Sequence, residues 1–509
     1  MFPDVPAIRV TPVNQAAVRP GGDHVLYWMI GARRTTWSFA LQHAVRRARE
    51  LQRPLLVVEP LRAGYRWASD RLHRFVLDGM ADQARAFAAA GVTYLPYVEP
   101  EPGAGRGLLA ALAARACCVV TDEVPGFFLP RMVAAAGARL DVALEQVDGT
   151  GVLPLRAAAI AYPSAAAFRR HLQKTIAPHL SQLPAPAPLA RLPAVVRDAT
   201  IPGAVLRRWP AASAALLAGD AAALARLPID HDVPPVAFAG GATAAAAAVA
   251  RFLDDRLDRY GDERDHPDAD AASGLSPYLH FGHVAIHEVV RRALEREGWD
   301  PSRLADRPTG RRDGFWGAAP ATEKFLDEAI TWRELGHGFA FHRGDHDRYD
   351  GLPAWARASL EAHADDPREH LYDLATLGAA ATHDPLWNAA QRQLRVEGRI
   401  HNYLRMLWGK QVLAWTPHPR RAFEVLVELN NRWALDGRDA NSYSGIGWTL
   451  GRFDRPWPER PVFGVVRTMS SARTAKKVEL RAWLARFGGD GDGDGATGAR
   501  DPRQRRLAL

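Results

Sequence analysis

Residues 401–415, HNYLRMLWGKQVLAW, read as a helix that carries His401, Arg405 and Trp408 on one face, at i, i+4 and i+7. Trp415 extends that face by two turns, roughly 10 Å along the axis at 1.5 Å per residue. An arginine inside an aromatic, inward-looking stripe needs a partner, because an unpaired buried charge is strongly destabilising. The nearest acidic cluster in sequence is LDGRD, with Asp436 and Asp439. On spacing alone, a buried ion pair among core aromatics and a ligand cavity are both open.

Outward from this helix, the stretch from His383 to Trp448 holds Trp387, Trp408, Trp415, Trp433 and Trp448 among charged and amide residues at apolar positions. From about Ala245 to Phe487 long helix-period segments dominate and strand-like alternation nearly disappears, which predicts an all-helical domain over 245–487. The N-terminal half reads differently. Short apolar runs VLYWMI (25–30), PLLVVEP (54–60), VTYLPYV (92–98) and CCVVTDE (117–123) alternate with helical stretches, the pattern of βαβ units in a mostly parallel sheet with helices on both faces. The expectation is an α/β, Rossmann-like domain over 1–180, although no GxGxxG follows the first strand. Between them, 181–244 is rich in Pro and Ala and reads as an extended surface linker, and 488–509 as a flexible tail. Tail residues Asp490, Asp492, Asp494, Gly495 and Asp501 fall at calcium-loop offsets, but Pro502 and the lack of a terminal Glu favour a solvated segment. The histidine-rich 337–350 lacks zinc spacing and reads as a polar loop.

With 509 residues, 47% hydrophobic, the chain is long enough for two sizeable cores, and its net charge of +8 suits a polyanionic partner. The two cysteines, Cys117 and Cys118, are adjacent and cannot form a disulfide framework, so a reduced, cytoplasmic compartment is expected. No segment reads as a membrane span or a secretory leader. Heavy Ala, Arg and Gly usage hints at a bacterial source.

An ordered series of longer motifs, SGLSPYLHFG (273–282), FLDEAITWREL (325–335), HDPLWNAAQ (383–391), HNYLRMLWGK (401–410), LAWTPHP (413–419), LNNRWALDGRD (429–439) and RPWPERPVFGVVRTMS (455–470), resembles the class II cyclobutane pyrimidine dimer photolyases. These are flavoproteins of the photolyase and cryptochrome superfamily. The resemblance spans roughly 245–480 and implies light-dependent splitting of pyrimidine dimers in duplex DNA by reduced FAD. A cryptochrome-like photoreceptor with FAD and no repair activity is the alternative, and a flavin-free helical nucleic-acid-binding protein a more distant one.

The resemblance also implies residue roles. Ser273, Gly274, Leu275 and Ser276, with Tyr260, match the turn that holds the FAD diphosphate. As a bare pattern, Ser276 suits an N-cap and Pro277 the first helical position, with free amides available to an anion. Arg405 and Asp436 match the ion pair beside the isoalloxazine, with Asp439 of the same acidic cluster a further cofactor-binding candidate, and Asn430 matches the amide facing flavin N5. Glu328, four residues before Trp332 on one helix, matches the glutamate that contacts the dimer, while Trp332, Met406 and Trp448 match the walls of its pocket. Indole faces and a thioether suit splayed bases, and a carboxyl can hydrogen-bond the electron-rich dimer. Trp387, Trp408 and Trp415 match the electron-transfer tryptophans; Leu407 departs from the aromatic usual there. Arg452, Arg455, Arg467, Lys476 and Lys477 belong to a basic run interleaved with Trp457, where cations would meet phosphate and aromatics would stack on bases, and Arg455 and Trp457 match a loop that in the family intrudes into the duplex. In the family the N-terminal domain can hold an antenna chromophore. The chain is expected to act as a monomer.

Overall fold

The computed structural model describes residues 4–489 of the protein. Six strands form one sheet: β1 (Val10–Pro12), β2 (His24–Trp28), β3 (Leu55–Leu61), β4 (Thr93–Val98), β5 (Ala116–Glu123) and β6 (Leu144–Asp148). Their order is β1-β6-β5-β2-β3-β4, parallel except for β1, which pairs antiparallel with β6 at the edge. The central strands are buried throughout, which is why they read as continuous apolar runs rather than alternating ones. Helices Phe39–Leu51 and Asp70–Ala90 are two of the crossovers, and Ser38 caps the first by accepting from the Leu41 amide. The short strands β1, at one edge, and β6 beside it carry too little pattern to stand out in the sequence.

The chain moves outward through β3 and β4, returns to the other side of β2 with β5, and so creates a topological switch at the carboxyl ends of β2 and β5. Ligands of open α/β sheets bind at such crevices. A cavity of about 930 Å³ lies there, lined by Arg33, Tyr65, Asp122, Phe127 and Met132 of the sheet half and by Arg438 of the helical half.

The segment from Ser181 onward is less extended than its proline content predicts. Short helices form at Gly203–Arg208, Ala214–Ala218 and Ala221–Leu224, the last two because their alanine and leucine residues are strong helix formers. Leu192, Val196, Trp209 and Val233 are buried and anchor this segment to the body. Residues 337–342, read as a polar loop, instead continue helix Arg333–His342 and bury His337 and Phe339. The calcium-loop offsets at 490–501 lie outside the described residues, as does the tail beyond Gly489.

The two halves meet along a tightly packed seam. Arg71 of the sheet half donates to the carbonyls of Pro234, Leu394 and Trp433, two of them at the ends of helices Pro385–Glu397 and Pro419–Trp433. At Trp433 it thereby satisfies an acceptor that the helix cannot satisfy itself. Gly282, at φ +74°, sits so close to the loop after β2 that a Cβ there would lie 1.8 Å from the Gly31 carbonyl oxygen. Only glycine fits this contact.

Candidate functional site

The helical half encloses a cavity of about 1100 Å³. Helix Asn402–Ala414 supplies Arg405, Met406 and Trp408, helix Pro419–Trp433 supplies Asn430, and helix Ala440–Thr449 supplies Trp448. The turn between the latter two brings Asp436 and Asp439, and Ser273, Gly274, Leu275 and Ser276 form a further wall with Tyr260. His401 and Trp415 cap helix Asn402–Ala414 rather than lying within it, because the helix is one residue shorter at each end than the apolar pattern.

Arg405 finds the partner its position demands. Its guanidinium meets Asp436 with both terminal nitrogens, at 3.2 and 2.9 Å, and donates to Asn430 Oδ1 at 2.7 Å. Although burial works upward on the Asp436 carboxyl, Arg405 outweighs it and holds the group below its ordinary range. The Asn430 amide also donates to Asn431 Oδ1, so its orientation is fixed from two sides. Asp439 caps helix Ala440–Thr449 by accepting from the Asn441 amide and pairs with His280 at 3.1 Å.

Ser276 is the first residue of helix Ser276–His280, not its N-cap. Leu275 already has helical dihedrals, so Pro277 falls at the second position, and the Ser276 hydroxyl is engaged by the Asp436 carboxylate. Ser273 Oγ accepts from the Leu275 amide.

Glu328 and Trp332 lie on a π-helical segment, Asp327–Trp332, inserted between helices Pro320–Leu326 and Arg333–His342. Such one-turn insertions locally re-aim side chains and recur at functional sites. The Glu328 carboxylate pairs with Arg264 at 2.7 Å, and Lys324 stands 3.9 Å away. Burial raises the Glu328 carboxyl above its ordinary range, opposed by Arg264 and Lys324. Tyr260 is pushed up to about 12 by burial and then by Glu328. Neither Arg264 nor Lys324 stood out in the sequence, since Arg264 is far along the chain from its carboxylate and ordinary charge runs surround both.

Behind Trp408 the indoles continue. Trp387 stacks on Trp408 with ring centroids 6.4 Å apart and meets Trp415 edge-on at 5.6 Å. Trp415 in turn meets Tyr372 at 5.7 Å and the exposed His383 at 5.1 Å. A contiguous path of rings therefore leads from the cavity to the surface, with Trp387 in the middle although it comes first in the chain.

The basic segment borders the cavity mouth. Arg467 lies 5.8 Å from the Trp448 ring and 4.9 Å from that of Trp457, Arg455 lies 5.1 Å from Trp457, and Lys477 lies 4.9 Å from Tyr403. Arg455, Lys476 and Lys477 are exposed, and Trp457 and Arg467 are half-buried. Arg452 does not belong with them. Its side chain is 1% exposed, lies 4.4 Å over the Phe339 ring and donates to the His346 and Tyr443 carbonyls, so it is a core cation and not a DNA contact.

In comparisons with known proteins, the chain is 31% identical over 484 residues to the deoxyribodipyrimidine photo-lyase of Methanothermobacter thermautotrophicus, spanning 95% of this chain and 98% of that one. It is 32% identical over 495 residues to the deoxyribodipyrimidine photo-lyase of Oryza sativa, spanning 94% of this chain and 90% of that one. Its fold matches the class III photolyase of Agrobacterium tumefaciens with a TM-score of 0.65 at 17% identity, over 92% of this chain and 86% of that one. A Synechocystis cryptochrome matches with a TM-score of 0.62 at 15% identity, over 91% and 88%. No family model matches the sequence.

Proposed function

Because the chain belongs to the deoxyribodipyrimidine photo-lyase family of DNA-repair flavoproteins, we propose that it splits cyclobutane pyrimidine dimers in duplex DNA under blue light, as a monomer of the class II type. The observation that carries this reading is that one cavity collects the Arg405–Asp436 pair, the Ser273–Ser276 turn, Glu328 and the Trp332, Met406 and Trp448 side chains, with the tryptophan path behind it.

The residues fit FAD. The cavity has the volume for a folded dinucleotide and, next to it, a lesion, and buried His401 Nδ1 lies in its wall without a partner. Arg405, Asp436 and Asn430 would hold the ring system, and the Ser273–Ser276 turn with Tyr260 the diphosphate. Bound and reduced, FAD supplies the photoexcited electron that opens the cyclobutane ring. The protein's own residues do the rest. Arg455, Arg467, Lys476 and Lys477 would meet DNA phosphates around the cavity mouth, with Trp457 against the bases. A dimer leaves the stack more readily than intact bases, because damage lowers the unstacking cost. Trp332, Met406 and Trp448 would then enclose it and exclude water. Glu328, raised by burial and oriented by Arg264, would hydrogen-bond the dimer where negative charge develops. The cavity at the sheet's carboxyl edge would take an antenna chromophore.

The test is loss of a thymine dimer from a duplex oligonucleotide, with photoreduced protein, in blue light and in darkness. Light-dependent loss in the wild type that falls steeply in Glu328→Ala is the expected result. Bound FAD that photoreduces without dimer loss would overturn the repair reading in favour of a photoreceptor.

A further inference from the structure

Lys410 lies on helix Asn402–Ala414, two residues beyond Trp408, and its side chain is fully buried. Its ammonium donates to the Thr449 carbonyl at 2.6 Å and stands 5.2 Å from the centre of the Trp448 ring. Thr449 ends helix Ala440–Thr449, so its carbonyl has no acceptor role inside that helix, and the negative end of the helix dipole faces the lysine. The two helices touch where this happens. A Cβ on Gly409 would lie 2.5 Å from Thr449 Cγ2, so the glycine permits the approach that lets Lys410 reach across.

We propose that Lys410 is a positioning residue for the lesion pocket: from inside the protein it caps the helix that carries Trp448 and holds the face of that indole. The proposal rests on the photolyase reading of the cavity. A lysine is a costly choice for core filling, since a methionine of similar length would occupy the space without burying a charge. The charges acting on Lys410 are Asp454, which favours the cation, and Arg467, which opposes it. Arg467 also approaches the Trp448 ring, from the segment that borders the cavity mouth. Among the described residues, Trp448 is thus the one indole of the pocket and path set with cations at its ring. Trp387, Trp408 and Trp415 contact indoles, amides and other aromatic rings instead.

The experiment uses the full chain in the dark and measures binding to a duplex with one thymine dimer and to the same undamaged duplex. Variants are Lys410→Met, Lys410→Gln, which keeps an N–H donor for the Thr449 carbonyl but no charge, and Trp448→Phe. For Lys410→Met the expected outcome is an unchanged or higher Tm, an unchanged affinity for undamaged duplex, and about tenfold weaker binding of the dimer duplex, the scale of a desolvated cation–π contact. Lys410→Gln should fall between, and Lys410→Met combined with Trp448→Phe should lose no more than Trp448→Phe alone. Full dimer preference in Lys410→Met, additive losses in the double variant, or a parallel fall of Tm and both affinities would overturn the proposal. If Lys410→Met does not fold, Lys410→Gln is read by the same criteria. A wild type without dimer preference would defeat the substrate reading instead. The Trp448 emission, taken as the difference from Trp448→Phe, then decides: a shift in Lys410→Met sustains the positioning role and an unchanged spectrum ends it.

Discussion

The rings of Trp387 and Trp408 are parallel, with planes 4° apart, and the Trp387 indole N–H donates to the Trp408 backbone carbonyl at 3.0 Å. This single bond fixes the middle indole of the path against the one that lines the cavity. In Trp387→Phe the ring path is narrowed and that bond is lost. Photoreduction of bound flavin should fall by an order of magnitude or more, while dimer repair by chemically reduced protein stays close to wild type. Transient absorption and a repair assay in dithionite separate the two. Equal losses in both would mean that Trp387 supports the cavity rather than the path.

Arg405 and Asp436 form a pair whose partners are each partly shielded from water, at 25% and 12% side-chain exposure. Removing one strands the other's charge, which costs about 3–5 kcal/mol at buried sites. Arg405→Met and Asp436→Asn should each lower Tm and release flavin during purification. The double variant should lose clearly less than the sum of the two, because the stranded charge is then gone. Melting curves and the flavin-to-protein absorbance ratio check both statements.

Arg452 and Arg455 are near neighbours in sequence and chemically identical, yet one is core and the other exposed. Arg455→Ala should weaken duplex binding and flatten the plot of log K against log salt by about 0.9, the share of one phosphate contact. Arg452→Ala should instead lower Tm with the salt slope unchanged. A slope change in Arg452→Ala would restore it to the DNA-contacting set.

Burial lowers the Lys410 ammonium from its ordinary value to about 7. Between that value and the unfolded value near 10.5, the unfolded chain binds the extra proton, so this group makes stability rise with pH across that window. Below about pH 7 both states are protonated and the contribution of this lysine is flat. Wild-type Tm should therefore gain on Lys410→Met as pH increases from about 7 to about 10, by differential scanning calorimetry. A constant gap between the two proteins would show that Lys410 is charged across the whole range.

The local pattern of the sequence determined most of the architecture. Apolar runs of strand length marked β2, β3, β4 and β5, and a helix-period stripe marked the helix that carries Arg405 and Trp408, because burial is written in residue spacing. The motifs also carried the cavity-lining set, from the Ser273–Ser276 turn to Trp448. Tertiary structure decided what spacing cannot encode, namely depth and partnership. Arg452 and Arg455 share one basic run, and only the packing of Phe339 against the first made it core. Glu328 meets Arg264 because a π-helical turn re-aims it, and an extra residue in a turn leaves no mark in a periodic pattern. Lys410 takes its place because Gly409 brings two helices close enough for it to reach Thr449. A charge takes its role from groups distant in sequence, and only the folded chain sets those distances.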